Sequence, residues 1–245
     1  MAQMSKARNK DPDSGWRGSA EGWLEAAYEA LKESGIEAVK VTPLAKRLKL
    51  SRTSFYWFFE DREQLLAALL ERWREKNTGN LISQCESYAE SLSEAILNVF
   101  HCWLNNDLFD SQLEFAVRSW ALQSADVGQA IAAADEMRMT AFSSMFKRFG
   151  YDANAADARA RTLYLTQIGY ISMNTSEGLI ERFRRIPAYT SIFTGEPPTR
   201  RELDRFFGLF GYAETEPGVF VPLVDTFEEV AGCPFKPKRA HDRKS

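Results

Sequence analysis

Long apolar runs are missing from this 245-residue chain. No stretch approaches the roughly 18 residues that a bilayer crossing needs, so the sequence offers no membrane span. Cysteine is scarce: Cys85, Cys102 and Cys233 are odd in number and far apart. That suits neither a disulfide framework nor a metal knuckle, and all three are expected to be reduced and structural. Histidine is scarcer still, with His101 and His241 alone and neither at metal-ligand spacing. With no phosphate-cradling glycine loop and no nucleophile elbow, catalytic apparatus is not visible, and neither a metal nor another cofactor is expected. Residues 1–15 are polar and lack the apolar stretch of a secretory signal, so a cytoplasmic location is expected.

A surplus of positive charge is also lacking, the formal net charge being −3. Charge matters locally, however, because only a docking face meets its partner. Residues 1–78 carry 14 basic and 12 acidic side chains, whereas the remainder is acidic on balance. Residues 38–59 contain Lys40, Lys46, Arg47, Lys49 and Arg52 and no Asp or Glu. Charge alone does not separate a docking face from a solvated surface.

What is present nearly throughout is apolar periodicity of the helical kind, without convincing period-two alternation, so the chain reads as all-α. A first helix begins near residue 20 after Ser19, buries Trp23, Leu24, Ala27, Tyr28 and Leu31, and stops at Gly35. Thr42-Pro43 signals a short second helix over 43–49. Ser51 opens a third over 52–58, and Asp61 with Gln64 resembles a capping box for a fourth carrying Leu65, Leu66, Leu69, Leu70 and Trp73. Longer helices follow over 81–105, 112–122, 127–149 and 153–185, then a loop over 186–199 marked by Pro187, Gly195, Pro197 and Pro198, and a helix over 200–211. The remainder reads as irregular, ending in a basic tail. The expected organisation is a flexible arm at 1–18, a small helical domain at 19–78, a larger one at 79–232 and a disordered tail at 233–245.

Two short helices separated by a tight turn and braced by a preceding helix form the layout in which the later helix enters a DNA major groove. On the third helix Phe55 and Phe59 share a face and anchor it, leaving Arg52, Thr53, Ser54, Tyr56 and Trp57 facing away or flanking. That surface offers a cation and hydroxyls to base edges and places Tyr56 to reach a phosphate. Residues covering a helix in an ordinary bundle would read the same way.

Residues 35–66, GIEAVKVTPLAKRLKLSRTSFYWFFEDREQLL, resemble the DNA-binding domain of the tetracycline-repressor (TetR) family. The likeness extends over about residues 23–73. It includes the turn after helix one, Thr42 at the start of helix two, Leu44-Ala45 within it, Leu50-Ser51 before the third helix, and the Tyr56 to Phe59 step before a charged turn. The resemblance implies a three-helix helix-turn-helix domain followed by a larger helical domain that binds an effector and dimerises. Thr42 then resembles a cap that contacts phosphate, Tyr56 the phosphate-binding tyrosine, and Arg62 a phosphate-contacting cation at the start of helix four. Arg52, Thr53 and Ser54 take base-reading positions, and Trp57 one that touches backbone or a thymine methyl. Lys49 stands where glycine is common, so the turn needs a geometry open to other residues or positive φ at Lys49. Phe58 replaces a usually polar residue. Lys6, Arg8, Lys10 and Arg17 form either a minor-groove arm or a disordered leader.

The same resemblance implies a homodimer formed through helices 153–185 and 200–211 on an inverted-repeat operator. A stripe of Tyr164, Ile168, Ile171, Thr175 and Leu179 is equally explained by burial within one subunit. Residues 115–138, with Arg118-Ser119-Trp120-Ala121 and Asp135-Glu136-Met137-Arg138, resemble effector domains of many such regulators. Trp103, Phe115, Trp120, Phe142 and Phe146 are candidate lining residues for a small, partly apolar effector, although core packing accounts for each of them as well. The expectation is a non-enzymatic transcriptional regulator, a repressor released from its operator by that effector. A helical interaction module that does not bind DNA is the alternative.

Overall fold

The computed structural model describes residues 18–175 and 177–223; the expected arm, basic tail, Cys233 and His241 lie outside the described residues. The chain divides into two compact units between residues 176 and 177.

The first unit opens with α1 (Ala20–Ser34), capped by Ser19, whose hydroxyl accepts from the Gly22 N–H, and closed at Gly35, where φ is +76°. A 3-10 turn (Ile36–Ala38) leads to α2 (Val41–Leu48), α3 (Arg52–Phe55) and α4 (Arg62–Trp73). Then come α5 (Asn80–Glu86), α6 (Leu92–Leu104), α7 (Ser111–Ala121), α8 (Ala125–Arg148) and α9 (Ala153–Ser172). The fold is all-α with an N-terminal helix-turn-helix.

The expected boundary at 78/79 has no counterpart. The backbone runs from α4 through a π-helical segment, Arg74–Gly79, into α5. One apolar cluster joins Trp23, Leu31, Leu44, Phe55, Leu65 and Leu69 to Leu113 and Val117 of α7 and Ile131 and Ala134 of α8. The expected helix over 81–105 is two. Ser91 caps α6 by accepting from the Glu94 N–H at 3.0 Å, while Glu94 accepts from the Glu90 N–H at 2.7 Å. Arg148 donates to the Cys85 carbonyl at 3.0 Å, satisfying a carbonyl at the end of α5.

The expected helix over 153–185 is also two, because Asn174 takes positive φ (+48°) just past α9. Asparagine accepts this left-handed step more readily than most side chains and ends helices by it.

The second unit starts with α10 (Leu179–Thr194), which includes Pro187. Helix therefore occupies most of the expected loop, and only 195–199 remains as connection. Proline removes one ladder hydrogen bond, but burial of Phe183, Ile186, Thr190 and Phe193 holds α10 together. Next come α11 (Arg200–Gly208) and an antiparallel hairpin of β1 (Tyr212–Glu216) and β2 (Val219–Pro222), where irregular chain was expected. Gly218, at φ +77°, makes the turn. Phe183 lies at the centre of the unit's aromatic core, with ring centroids of Phe207, Phe210 and Phe220 within 5.3 Å.

Candidate nucleic-acid interface

The turn between α2 and α3 is set by Lys49, which sits at φ 57°, ψ 37°. The Leu50 N–H reaches back to the Ala45 carbonyl at 2.9 Å and the Lys49 N–H to that of Lys46 at 3.2 Å. This pair of bonds is a Schellman motif with lysine where glycine is usual. Left-handed backbone costs a residue with a Cβ about 1–2 kcal/mol. Lys49→Gly is accordingly expected to raise the unfolding free energy by roughly 1 kcal/mol, read from the urea midpoint.

Ser51 then caps α3 by accepting from the Ser54 N–H at 3.2 Å, and the Ser54 hydroxyl donates to the Ser51 carbonyl at 2.7 Å. Phe55 is fully buried, edge-on to Trp23 at 5.2 Å and stacked with Phe59 at 5.4 Å. Regular helix ends at Phe55 rather than near residue 58, and the chain continues as turns, with the Phe59 N–H bonded to the Phe55 carbonyl at 3.1 Å. Five consecutive aromatics, Phe55 to Phe59, are poor helix formers, and Asp61 already caps α4 by accepting from the Gln64 N–H.

This seating leaves Arg52 and Thr53 exposed, with Tyr56 56% and Trp57 62% accessible. Ser54 is different: it is buried and its hydroxyl is engaged, which removes it from a base-reading surface. Thr42 is exposed but lies inside the first turn of α2, whose N-cap is Lys40, so it does not cap the helix as expected. Arg62 is also differently placed. Its Nε donates to the Val39 carbonyl at 2.6 Å and an Nη to that of Ile36 at 3.2 Å, so it braces the 3-10 turn from α4.

The basic run divides as well. Arg47 is held by both carboxylate oxygens of Glu33 at 2.7 Å, and Lys40 pairs with Glu37 at 3.0 Å. Lys46, Lys49 and Arg52 are exposed and make no ion pair among the described residues. Three exposed cations thus lie on α2, at the turn and on α3.

The five candidate effector residues are not gathered about one space. Trp120 belongs to the cluster under α1 and α4, Trp103 packs on Phe142 at 5.8 Å, Phe146 is fully buried, and Phe115 is 43% exposed. None lines the surface groove of about 580 Å³ bounded by Cys85, Met137, Met145 and Arg148. The Trp103 indole N–H is buried without an acceptor among the described residues. Burial raises both the Cys85 and Cys102 thiols, the latter to about 12, which leaves them poor nucleophiles. Among the described residues no cluster of three or more metal-binding side chains occurs, and no helix is long and apolar enough to cross a membrane.

Sequence reasoning did not anticipate an ionic lattice at the centre of the first unit. Glu114 and Arg138 are both fully buried and pair at 2.8 Å. Burial alone would raise the Glu114 carboxyl, but the adjacent Arg138 charge and the hydrogen bonds it receives prevail and hold it at about 2. The signal was present, since Arg138 falls on the stripe of α8 that carries Ile131, Ala134, Phe142 and Met145.

Comparison with known proteins places these features. Residues 24–69 match the family described as bacterial regulatory proteins, tetR family. A tetracycline repressor protein of class G from Vibrio anguillarum is 34% identical over 76 residues, which are 31% of this chain and 36% of that protein. The match thus spans about a third of the curated relative. Among solved structures, reduced NemR of E. coli is similar at a TM-score of 0.56 and 18% identity, covering 74% of this chain and 99% of that one. A fatty acid degradation regulator, FadR from Bacillus halodurans, is similar at 0.53 and 15% identity, covering 77% and 97%. At these identities the structural likeness speaks for the fold.

Proposed function

We propose that the chain, whose residues 24–69 match the tetR family of bacterial regulatory proteins, is a sequence-specific DNA-binding transcriptional regulator. The observation that carries this reading is the exposure of Arg52 and Thr53 on α3 and of Tyr56 and Trp57 in the turn that follows it, seated by the buried Phe55, with Lys46 and Lys49 exposed on α2 and the turn before α3. Arg52 and Thr53 read base edges, Tyr56 and Thr42 contact phosphates, and Trp57 lies against backbone or a thymine methyl. Arg62 acts one step behind, by holding the turn that positions α2.

The chain works as a homodimer on an inverted-repeat operator, using segments 153–185 and 200–211. Apolar side chains left exposed there, Leu165 and Met173 on or just past α9 and Leu209 after α11, support the pairing. It is a repressor released by a small, partly apolar effector, for which the unsatisfied Trp103 donor offers one polar contact.

Selection of bound fragments from genomic DNA, followed by gel shifts, tests the reading. Arg52→Ala is expected to lose about 1–3 kcal/mol of discrimination at one base pair of each half-site. Tyr56→Phe is expected to weaken binding to all sequences alike. A wild-type chain that selects no fragment refutes the function, and equal loss of discrimination from both variants refutes the residue roles.

A further inference from the structure

Where the rod from α4 to α5 widens into its π-helical turn, Trp73, Asn77 and Thr78 face inward and are at most 1% exposed. All three are held by residues of α7 and α8. The Trp73 indole N–H donates to Glu114 Oε2 at 2.7 Å, and Asn77 Nδ2 donates to the same oxygen at 2.9 Å. Arg138 Nε donates to Thr78 Oγ1 at 3.0 Å, and its guanidinium lies 5.3 Å from the Trp73 ring centroid. Asn77 also clasps the start of α7, donating to the Asp110 carbonyl at 3.0 Å and accepting from the Asp110 N–H at 2.9 Å. Asp110 in turn holds α1, through the Tyr28 hydroxyl at 2.6 Å and Lys32 at 3.0 Å.

The lattice has a far end as well. The Tyr164 hydroxyl, on α9, accepts from Arg138 at 2.9 Å and from Arg118 at 3.0 Å, and donates to Asp135 at 2.5 Å. A continuous path of charge-assisted hydrogen bonds therefore joins α9 to the helix that carries the reading head. Such bonds are directional, whereas apolar side chains slide and repack, so a polar lattice fixes an angle that a greasy contact leaves adjustable. Ion pairs of this kind are weak sources of stability compared with apolar residues of similar volume, so a stability role alone does not account for one here. π-Helical turns occur frequently at functional sites, because the extra residue interrupts the regular ladder.

We propose that Glu114 and Arg138 form a latch that fixes the angle of the DNA-reading helices on the helical body, with Arg74–Gly79 as the hinge. The latch rests on the DNA-binding reading above. In a dimer it holds the two reading helices at one separation, and it gives any change at Tyr164 a direct route to α4. Glu114, Arg138, Asn77 and Trp73 are thus positioning residues, remote from the bases.

The test uses the operator selected by the full wild-type chain, together with versions one base pair longer or shorter between half-sites. Each such change turns one half-site by roughly 34° relative to the other. Wild type is expected to lose about tenfold or more in affinity on either altered operator. The double variant Glu114→Leu/Arg138→Leu removes the lattice without stranding a charge, and Trp73→Phe removes one donor while keeping a ring. Both are expected to reduce that spacing penalty at least about threefold while circular dichroism remains that of wild type. A structural role alone would lower affinity for all three spacings by the same factor. Folded variants that retain the wild-type spacing penalty overturn the latch and leave the function standing; a wild-type chain that shifts no DNA overturns both. Should the double variant not fold, Trp73→Phe decides between the same two outcomes.

Discussion

Glu114→Ala is expected to lower the unfolding free energy by about 3–5 kcal/mol, because it leaves the fully buried Arg138 only Asp135, at 3.8 Å and already paired with Arg118, as counter-charge. It also strips an acceptor from Trp73 and Asn77, each buried with few alternatives. Urea unfolding at neutral pH measures the loss. Replacing both partners by leucine is expected to recover most of it, since no lone charge then remains. A Glu114→Ala variant within about 1 kcal/mol of wild type would show that water reaches Arg138 and that the site is less dry than its burial implies.

The same carboxylate sets the acid limb. Its folded pKa, about 2, lies below the ordinary value of 4.5. Protonation therefore favours the unfolded chain, and the contribution of Glu114 is fully present above about pH 4.5 and lost as pH falls towards 2. Unfolding free energies measured across that window are expected to fall steeply in wild type and less steeply in the double leucine variant.

The second large effect is expected at Phe55. Its ring is fully buried and packs on Trp23 and Phe59, so Phe55→Ala removes an aromatic from the core at a cost of about 3–5 kcal/mol. The functional loss should exceed what that figure suggests. α3 is only four residues long, too short to persist without its anchor, so Tyr56 and Trp57 lose their fixed direction. DNA binding is expected to vanish at temperatures where circular dichroism still reports folded protein. A Phe55→Ala variant that shifts the selected operator with wild-type affinity would refute the assignment of α3 as the reading element.

Legibility in the sequence followed the range of the forces involved. The stripe of α1, the stop at Gly35, the cap at Asp61 and the pairing of Phe55 with Phe59 are written within a few residues, and each appears in the structure. Breaks fixed by a single local hydrogen bond were harder to see. Ser91 and Glu94 form a readable capping pair, but the apolar period on either side of them suggested one helix. Asn174 gave no stronger hint than any other asparagine. Pro187 misled in the opposite sense, because tertiary burial outweighed its local cost. The hairpin of β1 and β2 was missed because its strands are too short to establish an alternation, although Pro217-Gly218 marks the turn.

On the face of α3 the sequence placed Arg52, Thr53, Ser54, Tyr56 and Trp57 outward, and four of these five are exposed while Ser54 is buried. Arg52, Thr53, Tyr56 and Trp57 lie on the surface, whereas Ser54 and Arg62 serve the scaffold. Helical spacing places a side chain on a face; it does not say whether that side chain has found a partner elsewhere in the chain. The lattice shows the same limit, because Asn77, Glu114, Arg138 and Tyr164 are distant in sequence and acquire meaning only when the helices pack.

The apolar cluster shared by α1 to α4 with α7 and α8 bears on modularity. Helix-turn-helix heads are often pictured as cassettes that can be grafted from one regulator to another. Here Trp73 borrows its acceptor, and α1 its anchor, from the stretch around Asp110 and Glu114. A chimera joined at residue 78 would bring foreign side chains against both. The smallest piece of this protein that keeps those contacts includes α7 and α8, and on the proposed reading new specificity is better introduced by exchanging the exposed Arg52 and Thr53 than by exchanging heads.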